Sequence, residues 1–115
     1  MNTNLFMVRG DTYAFAIEIE GLGQELDSAY FTCKENYEDT APIFQKSLND
    51  GIIKDTELST EEKYIYKVRV APEDTKDVVP KNYYYDLEIG ANNDIYTILR
   101  GVLKIEYDVT NEEVE

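Results

Sequence analysis

Histidine and tryptophan are both absent from this 115-residue chain, cysteine occurs once, and cations number 11 against 24 carboxylates. The lack of histidine removes the commonest general base and the commonest transition-metal ligand, and with them most hydrolytic arrangements. A lone Cys33 cannot close an internal disulfide and has no histidine to activate it, and its phase places it with Ala29 and Phe31 on one strand face. It reads as a core filler in a reducing compartment rather than a nucleophile. No Gly-x-Ser-x-Gly turn offers a serine nucleophile.

The shortage of cations gives a net charge of −13. Nucleic-acid binding needs clustered Lys and Arg, and these 11 are scattered, so a nucleic-acid partner and an anionic membrane surface are both disfavoured. No run is apolar enough to span a bilayer, and Met1-Asn2-Thr3-Asn4 begins neither a basic region nor a signal-like apolar stretch. Synthesis in the cytoplasm is expected.

The chain does hold 43% hydrophobic and 30% charged residues, the composition of a globular protein. At this length it predicts one domain over 1–115, with the acidic segment Thr110 to Glu115 as a frayed tail. Ten tyrosines against four phenylalanines point to strands with one wet face, where a ring packs and its hydroxyl reaches water.

Period-two alternation is the dominant pattern. In Tyr83 to Ile89 the odd positions Tyr83, Tyr85, Leu87 and Ile89 face a core, and Tyr84, Asp86 and Glu88 face outward. A turn over Gly90 to Asp94 then leads into a long final strand from Asp94 to Tyr107. Ile95, Leu99, Leu103 and Ile105 are expected on its inner face, with a bulge or bend at Gly101. Thr12 to Glu20 alternates with Tyr13, Phe15, Ile17 and Ile19 inward, and Lys63 to Ala71 with Tyr64, Tyr66, Val68 and Val70 on one face. Leu5 to Val8 reads as a short edge strand and Ala29 to Lys34 as another strand. Asp50-Gly51 signals a hairpin between Ile43 to Ser47 and Ile52 to Lys54. Pro72 to Asp77 suits one helical turn. The prediction is an all-β, immunoglobulin-like antiparallel β-sandwich of about seven strands with at most one short helical turn; a small barrel is the alternative.

Carboxylate clusters offer little chemistry. No window fits an EF-hand loop, and Asn92, Asn93 and Asp94 are explained by a hairpin turn rather than a calcium site. Asp86 and Glu88 stand two apart like a general acid and base, but on a solvated strand face with no apolar pocket predicted around them. No catalytic, cofactor-binding or metal-ligating residue is expected. Arg9-Gly10-Asp11 matches the integrin-recognition tripeptide, and a turn explains it better. Contact residues would be Tyr84, Tyr96, Asp86 and Glu88.

Several short motifs occur in a fixed order: Arg9-Gly10-Asp11, Leu26-Asp27-Ser28-Ala29, Asp50-Gly51-Ile52, Ala71-Pro72-Glu73-Asp74-Thr75, Tyr83-Tyr84-Tyr85-Asp86-Leu87, Leu99-Arg100-Gly101 and Asp108-Val109-Thr110. This series resembles the small immunoglobulin-like domain of phage and prophage tail and baseplate proteins, similar to the amino-terminal domain of siphophage baseplate upper proteins. The resemblance implies a non-catalytic structural or accessory module made in the host cytoplasm and assembled into a virion. Its partners would be other phage structural proteins or further copies of itself. Two readings from other classes remain: a carbohydrate-binding sandwich stacking sugars on Tyr64, Tyr66, Tyr84 or Tyr96, and an acidic mimic of DNA resting on the −13 charge.

Overall fold

A computed structural model describes residues 2–109; the tail expected over Thr110 to Glu115 lies outside the described residues. Eight strands form: β1 (Leu5–Val8), β2 (Tyr13–Glu20), β3 (Ser28–Lys34), β4 (Phe44–Leu48), β5 (Gly51–Lys54), β6 (Lys63–Val70), β7 (Lys81–Ala91) and β8 (Asp94–Glu106). One helical turn, α1 (Pro72–Thr75), follows β6. The proline supplies a φ suited to the first helical position, and the Asp74 carboxylate accepts a hydrogen bond from the Ala71 amide at 2.7 Å.

Hydrogen bonding joins the strands into a single sheet in the order β1-β8-β7-β3-β4-β5-β6-β2. That sheet folds over on itself, so β1-β8-β7-β3-β4 forms one layer and β5-β6-β2 the other. Strands β2, β6 and β5 lie together against β8, β7, β3 and β4, the strand order of an immunoglobulin-like sandwich with one added strand. The two layers are continuous through β4 and β5, giving a nearly barrel-shaped outline, while β1 and β2 share no ladder among the described residues. Sandwich and barrel, the two sequence-based alternatives, are thus combined in one sheet.

Three details differ from expectation. There are eight strands rather than about seven. The sheet is also not wholly antiparallel, because β1 runs parallel to β8 and β4 pairs briefly in parallel with β5. Asp50-Gly51 does make a turn, with the Asp50 amide donating to the Ser47 carbonyl at 2.8 Å, but it joins no antiparallel hairpin. Asn49 at φ 67° and Gly51 at φ 99° swing the chain from one layer to the other instead.

The core is the odd face that alternation defines. Tyr83, Tyr85, Leu87 and Ile89 of β7 are buried, as are Ala29, Phe31 and Cys33 of β3 and Tyr66, Val68 and Val70 of β6. Phe31 is the pin between layers, its ring 5.4 Å from Phe15, 5.8 Å from Phe44 and 5.6 Å from Tyr85. Such tilted and edge-to-face contacts suit aromatic quadrupoles. Polar atoms inside are matched: the Tyr66 hydroxyl accepts from the Leu26 amide at 2.9 Å, and Tyr85 donates to the Thr3 carbonyl at 2.5 Å.

The bulge in β8 falls elsewhere than at Gly101. Register slips between Leu87/Leu99 and Glu88/Thr97, leaving Ile98 as the extra residue. Ile95 therefore lies across from Gly90 and is exposed, whereas Leu103 and Ile105 are buried as expected and Leu99 partly so. Gly101 serves a different purpose, since a Cβ there would stand 2.4 Å from the Thr3 carbonyl oxygen. The first residues of the chain dock at this point, with the Thr3 amide donating to the Arg100 carbonyl at 2.8 Å.

Arg9-Gly10-Asp11 is a turn, with Gly10 at φ 80°. Arg9 pairs with Asp108 at 2.9 Å and lies over the Tyr107 ring, while the Gly10 amide donates to the buried Thr75 hydroxyl at 2.8 Å. These contacts fasten the ends of β1 and β8 to α1.

Gly101→Val should destabilise the protein by about 2 kcal/mol in chemical denaturation, because the clash is with backbone and cannot be relieved by a rotamer. Loss of amide-exchange protection at Thr3 should accompany it. The Arg9 guanidinium holds the Asp108 carboxyl below the usual carboxylate range. Because the folded-state value lies below the unfolded one, this contribution is full above that range and fades as the pH falls through it. Asp108→Asn should lower the denaturation midpoint at neutral pH, and the two proteins should converge in acid.

Candidate functional site

The outward positions of β1-β8-β7-β3-β4 form a tyrosine-bearing sheet face. Period-two alternation turns Tyr84, Asp86 and Glu88 of β7 outward, half-buried between neighbouring strands. Register sets Lys34 and Val102 beside Tyr84, Thr32 and Arg100 beside Asp86, and Tyr30 and Thr97 beside Glu88. The bulge at Ile98 matters here. Without that extra residue Leu99 would take the place across from Asp86 and Arg100 would turn toward the core; with it, Arg100 stands directly across from Asp86.

The loop from Glu35 to Pro42 overhangs one end. Its turn is closed by the Asn36 amide donating to Asp39 at 3.0 Å and by the Asp39 amide donating to the Asn36 carbonyl. A Lys81–Glu35 ion pair ties the loop to the start of β7. The turn presents Tyr37, whose ring stacks on Tyr84 at 4.3 Å with 29° between the planes. Beside this stack the face sinks into an open depression of about 520 Å³, lined by Tyr30, Thr32, Tyr84, Asp86, Glu88 and Arg100 among others. An open, mixed polar and aromatic surface of this kind can stack rings and exchange hydrogen bonds with whatever lies on it.

Three of the four expected contact residues, Tyr84, Asp86 and Glu88, thus come together, and Tyr96 does not. Tyr96 sits across from Ile89 on the opposite side of the sheet, exposed near the β7–β8 turn. Alternation alone could not place it, because the bulge resets the phase of β8. Tyr66 is almost fully buried and Tyr64 packs against the core, so neither is available to stack on a ligand. Tyr30, Tyr37, Lys34 and Arg100 are additions to the site. The outward phase of Tyr30 was readable from its place between Ala29 and Phe31; nothing in the loop sequence announces that Tyr37 stacks on Tyr84.

Asn92 and Asn93 both have positive φ, 56° and 66°, and close a two-residue hairpin between Ala91 and Asp94. This is the backbone of a type I′ turn and accounts for the asparagines. No group of three or more potential metal ligands gathers among the described residues. No helix among them is long and apolar enough to cross a membrane. Cys33 is fully buried, and burial pushes its thiol up to about 12, as fits a structural residue.

No protein-family model matches the chain, and no curated protein matches it either.

Native protein at pH 8 should leave Cys33 unmodified by a chromogenic disulfide reagent over times in which a free thiol reacts fully. Labelling should appear with the global unfolding transition in denaturant. Fast labelling of the folded protein would show that the core around Phe31 opens locally.

Proposed function

We propose that this chain is a non-catalytic phage or prophage structural module, synthesised in the host cytoplasm and built into a tail or baseplate through the outer face of β1-β8-β7-β3-β4. The observation that carries the contact reading is the Tyr30, Tyr37 and Tyr84 surface around a shallow depression on a strongly acidic molecule. Aromatic side chains supply rigid contact area at low entropic cost and are enriched where proteins meet. The assignment to phage assemblies rests on the motif order from Arg9-Gly10-Asp11 to Asp108-Val109-Thr110. A photo-crosslinking amino acid at position 84, expressed with its neighbouring genes, is expected to capture a tail or baseplate protein, and mass spectrometry of particles should find the chain. Tyr84→Ala should reduce capture from a photo-crosslinker at position 30 while lowering the melting temperature by only a few degrees, as loss of the Tyr37 stack requires. Particles devoid of the chain, with a gene set among metabolic genes, would overturn the assignment.

A carbohydrate-binding reading is favoured by one feature, the Tyr37–Tyr84 stack beside Asp86 and Arg100, since sugars lie on aromatic rings flanked by hydrogen-bonding groups. Glycan-array binding abolished by Tyr84→Ala would select it over the structural reading.

A further inference from the structure

We propose that the partner of this face is a second copy of the chain, related by a two-fold axis running parallel to the strands between β7 and β8. The inference rests on the reading of this face as a contact surface, and three observations carry it.

The first is charge. The outward strand residues of this layer include three cations, Lys34, Arg100 and Lys104, and three carboxylates, Asp86, Glu88 and Glu106. These strand positions balance, so the net charge of −13 arises elsewhere on the molecule, Glu38 and Asp39 of the overhanging loop included. Two such molecules repel through their net charge, and a balanced face adds nothing to that repulsion where the copies touch. The outer side of β5-β6-β2 is also nearly balanced, with Lys63, Lys67 and Arg69 on β6 beside Glu18 and Glu20 on β2, but it has only three strands and offers no tyrosine.

The second is complementarity. Asp86 and Arg100 occupy directly opposed positions on β7 and β8, yet neither enters an ion pair among the described residues. An axis midway between these strands lays β7 of each copy over the partner's β8. Asp86 then meets the partner's Arg100, and Arg100 meets the partner's Asp86, so one contact is made twice. An axis along β7 itself would oppose Asp86 to Asp86 and Glu88 to Glu88, which like charge forbids. Of the axes that avoid like-charge contacts, the one between β7 and β8 sets Asp86 and Arg100 against each other.

The third is area. Five strands spaced about 4.8 Å apart, with an outward row on β8 about 35 Å long, project on the order of 600 Å². Standard interfaces bury about 800 Å² per partner, so the face suits a reversible dimer rather than an obligate one.

The test is sedimentation of the whole chain over a wide concentration range, in low and high salt. Wild-type protein is expected to dimerise reversibly and more tightly as salt is added, because screening removes the general repulsion faster than it weakens the covered Asp86–Arg100 pairs. Asp86→Arg and Arg100→Asp should each weaken the dimer by about tenfold or more, and the double variant should recover most of that loss. Circular dichroism on these surface variants checks that folding is intact. Monomer under all conditions, or a dimer indifferent to the charge swap, overturns the proposal. If the protein stays monomeric while the photo-crosslinker at position 84 still captures a tail protein, the self-pairing fails and the contact reading stands. If both fail, the face is not a contact surface.

Discussion

Everything in this fold depends on covering the inner face of β7. Tyr83, Tyr85, Leu87 and Ile89 put four large side chains on one side of a single strand, and a pleated strand cannot hide them by itself. The neighbours in the sheet extend that apolar face but do not cover it; only a second layer does. Phe31 makes the two layers one, touching Phe15 from across the core and Phe44 and Tyr85 within its own layer. The hydroxyls of Tyr66 and Tyr85 reach backbone groups, so tyrosines can serve in the core without leaving a polar atom stranded.

The same strand creates the surface. Because side chains alternate, a strand that buries Tyr83 and Tyr85 necessarily turns Tyr84, Asp86 and Glu88 to the other side. The bulge at Ile98 brings Arg100 into their row, and the Glu35–Pro42 loop adds Tyr37. Core and outer face are thus two readings of one alternating pattern, joined by a single irregularity in β8.

What could be read from sequence follows the range of the forces involved. Strand phase in β2, β3, β6 and β7 is local and was legible, down to the burial of Cys33 and the outward turn of Tyr84. The position of the β8 bulge was not, because Gly101 is the obvious local irregularity and its real task is to admit the Thr3 backbone from the other end of the chain. For that reason simple alternation puts Ile95 and Tyr96 on the wrong sides. Asp50-Gly51 likewise signals a turn truthfully, but which strands the turn connects is decided by the switch between layers, a property of the whole sheet. The Tyr37–Tyr84 stack joins positions 47 residues apart through a loop with no periodicity to read.

The parallel pairing of β1 with β8 has a mechanical side. Tension applied along the chain enters through β1 and leaves through β8, and since the two strands run the same way it loads their shared hydrogen bonds in shear. Bonds loaded in shear must give way together, whereas those of a hairpin pulled from its open end break singly, in succession. The docking of Thr3 against Gly101 and the Arg9–Asp108 pair lie at the two ends of this short ladder and share its load. A module built this way resists stretching through a handful of bonds at its margin, long before its core is asked to yield.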